Sequence, residues 1–340
     1  MNARPRPGRV PRPSARRLSR LVPGRWPRAL LALLATAALV LGAATAAAAP
    51  GRPSLTRVAG AAGAPRSANA TATAASSCDT HASSLRPAGA PQVTAGSFMA
   101  KIRARGYLIA GVDQSTYHFG FLSPLTGQIE GFDIDMIRAV ATAIFGNSNP
   151  GNVHFKAISD AQRIPDVESG TVDIVAHTMT ITCDRLQMVD FSSVYFDAAQ
   201  QVLVLKNSHA TSLASLHGQK VCATSGSDSL AVIAKEGAVP VPATYWTDCL
   251  VLLQQGDVVA ISTDNSILDG LAAQDPFTQV IGKPLTDEPY GLAISKQHPE
   301  FVRFVNAVLE QLRTDGQWRG IYQHWLGTPV PPPPKAQYAG

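Results

Sequence analysis

The chain has 340 residues, 45% hydrophobic and 16% charged, which rules out disorder along its whole length and leaves room for one large or two medium domains. Its formal net charge of +5 does not signal a polyanionic partner, because nine arginines precede Ala29 and the first carboxylate is Asp79. From Cys78 onward there are 17 basic against 24 acidic residues, so the body is mildly acidic and lacks the basic, aromatic-interleaved patch that nucleic acid requires.

Residues 1–28 are rich in Arg and Pro and run into Ala29–Ala49, an unbroken apolar stretch of Ala, Leu and Val with one Gly and two Thr. Residues 1–49 are therefore predicted to be an export signal, with small residues before Pro50 for cleavage; the alternative is an uncleaved anchor, since about 20 apolar residues can span a bilayer. Either way the rest lies outside the cytoplasmic membrane, secreted or held at the cell envelope through the N-terminus. Residues 50–77 are almost all small or polar, with Leu55 and Val58 as the only larger apolar side chains, and cannot offset chain entropy by burial. A flexible tether is drawn over 50–96, its end anchored by a disulfide.

Strand-like and helix-like runs then alternate. Tyr107–Val112 is predicted as a strand; Asp133 as an N-cap precedes Ile134, Ile137, Val140, Ala141 and Ile144, which share one helical face closed by Gly146. Val153–Ile158 and Thr171–Ala176 are further strands, giving a βαβ pattern and a mostly parallel sheet. A second series follows: strands Gln201–Leu205 and Lys220–Ala223, a helix over Asp248–Gln255, and the strand Asp257–Ser262. Pro299 opens a helix with Phe301, Phe304, Val305, Val308 and Leu312 at helical spacing, stopping at Gly316. Two α/β lobes fit this order. Residues 328–340, with the polyproline run Pro329–Pro334, form an extended tail.

Cys78, Cys183, Cys222 and Cys249 are an even number in an exported chain, so two disulfides are expected, with three connectivities open. The preferred pairing is Cys222 with Cys249, linking a strand to a neighbouring helix, and Cys78 with Cys183, pinning the tether to the first half of the fold. No cysteine pair has C-x-x-C spacing and no histidines form a metal motif, so no metal or other cofactor is expected.

Open α/β sheets bind ligands beyond the carboxyl ends of their strands. The loops there carry Asp113-Gln-Ser-Thr-Tyr-His-Phe119, His177-Thr-Met-Thr-Ile-Thr-Cys-Asp-Arg185, Thr224-Ser-Gly-Ser-Asp228 and Thr263-Asp264, which together offer a cation, an anion, backbone donors and aromatic faces. With Gly131-Phe-Asp-Ile-Asp135, Gln162-Arg-Ile-Pro165, Val189-Asp-Phe-Ser192, Glu288-Pro-Tyr-Gly291 and Asp315-Gly-Gln-Trp318, the stretch Phe98–Gly327 resembles the extracellular solute-binding proteins of polar-amino-acid ABC importers, in particular the glutamate/glutamine-binding type.

The resemblance implies an α/β, two-lobed periplasmic-binding-protein type II fold (Venus flytrap) with two crossover strands, lobe 1 from 97–198 plus 290–327 and lobe 2 from 199–289. It implies that Arg185 holds the ligand's α-carboxylate, with Thr180 and backbone donors at Gly226 and Ser227. Asp264 would hold the α-ammonium with the Thr178 carbonyl, Phe119 would line the pocket, and Arg163 would stand where acidic-amino-acid binders grip the side-chain carboxylate. Closing two lobes over a zwitterion removes both charges from water, which fixed opposite charges must offset; a guanidinium grips a carboxylate through a planar fork that lysine lacks. The implied function is a monomeric, non-enzymatic protein that closes on glutamate or aspartate, with glutamine and asparagine as further ligands, and presents it to an ABC permease or a membrane sensor. A dehydratase-like enzyme on the same frame is the alternative. Asp264 could instead cap the helix beginning near Ser266, and Arg163 could pair with Asp160 or Asp166.

Overall fold

The computed structural model of the chain describes residues 78–339; the expected signal at 1–49 and tether residues 50–77 lie outside them. Two five-stranded sheets form the frame. The first orders Val153–Ala157, Leu108–Val112, Ile174–Ala176, Ala293–Ser295 and Val189–Phe191. The second orders Val239–Ala243, Lys220–Thr224, Ala260–Asp264, Gln200–Leu205 and Thr278–Ile281. In each, three neighbouring strands are parallel, whereas Ala293–Ser295 and Gln200–Leu205 run antiparallel to both of their neighbours. The expectation of mostly parallel sheets is corrected to mixed ones. Both antiparallel strands come directly after a crossing between lobes, so they start where the parallel strands end and must run the other way.

The crossing itself is a short ribbon in which Phe196–Ala198 pairs antiparallel with Glu288–Tyr290, Tyr290 opposite Phe196. Each lobe buries its own apolar cluster. Helices Phe132–Phe145 and Pro299–Thr314 cover the first sheet through Ile137, Val140, Phe301 and Val305, and helix Trp246–Gln255 covers the second through Leu250 and Leu253. Each fully buried Phe or Leu of this kind contributes roughly 1.5–3 kcal/mol over leaving it in water.

Helix Phe132–Phe145 ends at Gly146 as expected, but Asp133 is not its N-cap. The chain turns in at Gly131, at φ +137°, where a Cβ would lie 2.1 Å from the Phe119 carbonyl oxygen, so only glycine fits. The first amides, of Phe132 and Asp133, donate to the His118 and Phe119 carbonyls at 2.8 and 3.0 Å. Backbone from a distant loop thus satisfies the helix start, and the Asp133 carboxylate is left for another task.

Cys78 is bonded to Cys183 and Cys222 to Cys249, with Cα separations of 5.7 and 5.5 Å. Beyond the first of these bonds the expected flexible tether is corrected for residues 78–96. Ser84 is buried and donates to the Phe191 carbonyl, and Asn306 reaches Ser84 and the Leu85 carbonyl. The proline-rich tail returns to the same place: Leu85 bridges Ala339 in parallel, and the Tyr338 hydroxyl donates to Glu310. Polar hooks, together with Leu85, Val93 and Val330 packed against the first core, hold both segments.

Candidate ligand-binding site

The parallel strands of both sheets point their carboxyl ends at the space between the lobes. Helix Cys183–Met188 follows one of them, capped by Thr182, whose hydroxyl accepts from the Arg185 amide at 3.2 Å. That cap orients Arg185, which is 7% exposed. Its Nη1 donates to the Thr180 carbonyl at 2.7 Å, while its Nη2 has only long contacts, 3.4 Å to the Gly226 carbonyl and 3.5 Å to Asp228 Oδ1. Among the described residues nothing accepts from its Nε, so one edge of the fork is uncommitted.

Arg163 differs. It is 3% exposed and its donors are largely spent. Nε donates to the Asp160 carbonyl at 3.0 Å, Nη1 to the His177 carbonyl at 3.1 Å, and Nη2 to the Gly226 carbonyl at 3.1 Å, while Asp160 Oδ1 lies 2.8 Å from Nη1 as its ion-pair partner. The other Asp160 oxygen accepts from the Thr224 hydroxyl at 2.5 Å, a bond between the lobes. Burial alone would raise the Asp160 carboxyl, but the charges of Arg163 and His177 and the Thr224 hydroxyl outweigh it and hold it below its ordinary value. Arg163, Arg185, Asp160, Met179 and Gly226 line one cavity.

Asp264 ends the strand Ala260–Asp264 and is 4% exposed. It stands in the N-cap position of helix Asn265–Gln274 without making a side-chain cap. Its Oδ2 instead accepts from the Tyr290 hydroxyl at 2.6 Å, and Tyr290 also meets Ser266 at 2.7 Å. Burial, then the nearby charges of Glu288 and Asp228, push the Asp264 carboxyl well above its ordinary value, and the charge of Arg185 offsets this only in part. Among the described residues no cation lies within ion-pair distance of it. Burial and Asp228 raise Glu288 as well. Thr180 joins the two halves: its carbonyl takes Arg185 and its backbone bridges Tyr290, the partner of Asp264.

Thr178 is 3% exposed, has φ +41°, and buries a hydroxyl with no hydrogen-bond partner among the described residues. Its amide donates to Asp133 Oδ2 at 2.8 Å, and Tyr195 donates to the other Asp133 oxygen at 2.7 Å, so this buried carboxylate fixes a strained backbone next to the crossing strands. Phe119 is fully buried against Phe132, Phe196 and Tyr290, within the aromatic core rather than on an open pocket face. Ser227 turns both its amide and its hydroxyl back onto the Thr224 carbonyl, so its donors are committed to the turn. The Gly226 carbonyl accepts from both arginines.

Asp160, His177, Asp133, Glu288 and Tyr290 were not singled out as site residues from sequence. Asp160 and His177 each follow a strand, which is the signal that could have found them. His177 Nε2 lies 3.0 Å from the Ile158 carbonyl, and its unpartnered Nδ1 lies 3.6 Å from Asp160 Oδ1.

Burial pushes the Asp133 carboxyl up to about 6, against the pull of Tyr195 and the Thr178 amide, from 3.8 when unfolded. The folded state then holds the proton more tightly, so this group's stabilisation is full below 3.8 and is lost as pH rises through about 6. The stability of wild type minus that of Asp133→Asn should therefore increase on going from pH 7 to pH 4, by at most about 1.4 kcal/mol per pH unit. Urea unfolding at stepped pH reads the difference; parallel profiles would refute it.

Two α/β lobes joined by a two-strand ribbon, with opposite charges buried at facing strand ends, define a clamshell binding protein of the periplasmic type II class. The chain belongs to the bacterial extracellular solute-binding proteins, family 3, which it matches over residues 108–328. It is 37% identical over 231 residues to the ABC transporter glutamine-binding protein GlnH of Bacillus subtilis, covering 67% of this chain and 84% of that one. It is 27% identical over 255 residues to the glutamate/aspartate import solute-binding protein of Salmonella typhimurium, covering 72% and 83%. An ancestral arginine-binding protein solved bound to glutamine superimposes with a TM-score of 0.62 at 34% identity, covering 66% of this chain and 99% of that one. Among the described residues no helix is long and apolar enough to cross a membrane.

Proposed function

We propose that this protein binds a free amino acid with a neutral amide side chain, glutamine above all, outside the cytoplasmic membrane and delivers it to an ABC permease. Lobe 1 would comprise 97–198 with 290–327 and lobe 2 the insert 199–289. Arg185 takes the α-carboxylate with its uncommitted edge. Asp264, a buried carboxylate with no cation against it among the described residues, takes the α-ammonium together with the carbonyl of Thr178.

The observation that carries the side-chain assignment is the Arg163–Asp160 contact at 2.8 Å. The resemblance implies an acidic ligand as the counter-ion of Arg163; Asp160 already supplies one, and the remaining donors are largely held by carbonyls. A net-neutral ligand then adds no charge to the site, whereas glutamate or aspartate would add one with no free cation in the side-chain pocket to match it. The similarity to the glutamine-binding protein of Bacillus subtilis supports the same choice.

Calorimetry against glutamine, asparagine, glutamate and aspartate tests it. Glutamine is expected to bind tightest, with glutamate at least tenfold weaker; glutamate binding tighter than glutamine would overturn the assignment.

A further inference from the structure

We infer that Asp160 sets the side-chain selectivity of the site, matching the charge of Arg163 so that the cleft accepts an amide and refuses a carboxylate; this rests on the amide assignment above. The argument is one of charge placed at short range. Asp160 and Arg163 are respectively 6% and 3% exposed, and their side chains meet at 2.8 Å in the wall of the cavity that Arg185 also lines. Two buried charges that neutralise each other present dipoles, not a net field, to a third group. An amide offers both a donor and an acceptor to such a pair, whereas a carboxylate would be attracted by Arg163 and repelled by Asp160 at similar distance.

Asp160 does more than neutralise. Its second oxygen accepts from Thr224 in the opposite lobe at 2.5 Å, and Arg163 donates to Gly226 in that lobe at 3.1 Å. The pair is therefore tied into the contact between the lobes, and a ligand that disturbed it would also oppose closure. His177 is buried beside the pair, with its unpartnered Nδ1 3.6 Å from the same Asp160 oxygen that meets Arg163.

Removing the charge of Asp160 while keeping its shape leaves Arg163 buried with a surplus positive charge, which a ligand carboxylate would then satisfy. In Asp160→Asn the ratio of the glutamate to the glutamine dissociation constant should fall at least tenfold relative to wild type, measured by calorimetry on the full chain. Thr224→Val removes the hydroxyl between the lobes but leaves both charges. It should weaken glutamine and glutamate by a similar factor and leave their ratio within about twofold of wild type. Melting of the unliganded variants checks that each is folded, and the ratio is a readout that a purely structural role would not move. A wild type that prefers glutamate would remove the amide assignment and this inference with it. A wild type that prefers glutamine, with an Asp160→Asn ratio unchanged or with an equal shift in Thr224→Val, would overturn the inference alone.

Discussion

Arg185→Ala should abolish ligand binding, lowering affinity by at least a hundredfold while the melting temperature of the unliganded protein moves by only a few degrees. Two charge-assisted bonds from the guanidinium to the α-carboxylate would contribute roughly 1.5–3 kcal/mol each, or about two to four powers of ten together. Within the fold Arg185 makes one close bond, to the Thr180 carbonyl, so stability depends on it little. Arg185→Lys should rescue only a small part, because an ammonium keeps the charge but not the planar fork. Calorimetry decides it. Retention of affinity within tenfold of wild type would mean that the α-carboxylate is held elsewhere.

Gly226→Ala should be nearly as damaging, for a steric reason. Gly226 has φ +88°, and a Cβ there would lie 2.7 Å from both the Cα and the amide nitrogen of Ala161 in the other lobe. Both obstacles are backbone, so neither can rotate aside, and the left-handed conformation adds its own penalty for any side chain. The lobes could then meet only at a wider angle, pulling the Gly226 carbonyl away from Arg163 and Arg185 and the Thr224 hydroxyl away from Asp160. Affinity should drop at least a hundredfold, and small-angle scattering should no longer show ligand-induced compaction, while the left-handed strain alone lowers the melting temperature of the free protein by only a few degrees. Compaction equal to wild type would show that the contact is not needed in the bound form.

Much of the frame was legible in advance because it is written in local periodicity. Helix Pro299–Thr314 buries the expected Phe301, Phe304, Val305, Val308 and Leu312, and glycines close helices Phe132–Phe145 and Trp246–Gln255. What escaped was long-range. Asp133 has the local signature of an N-cap, yet that role is filled by carbonyls of residues 118 and 119, and its carboxylate instead holds Thr178 and Tyr195. Residues 78–96 lack the apolar content of a packed segment, and it takes the Cys78–Cys183 bond and Asn306, over 200 residues away in sequence, to hold them.

Arg185, Thr180 and Asp264 lie in strand-end motifs, and the resemblance those motifs carry is what named them. The charge state of the side-chain pocket was left open between a free Arg163 and one paired with Asp160 or Asp166. It depends on Asp160 meeting Arg163 within one turn and Thr224 across the lobes, and no spacing along the chain distinguishes such a pair from a free arginine. Phe119 shows the same limit: an aromatic in a strand-end loop has the same signature whether it faces a ligand or, as here, three other rings.

The central claim is that one buried cation and one buried carboxylate hold the two α-substituents of the ligand. Calorimetry of the wild-type protein with three compounds tests it most directly: glutamine, glutaramic acid, which lacks the ammonium, and 4-aminobutanamide, which lacks the α-carboxylate. Glutamine should bind and both analogues should be at least a hundredfold weaker, each having left one buried charge of the site without its partner. Either analogue binding as tightly as glutamine would contradict it.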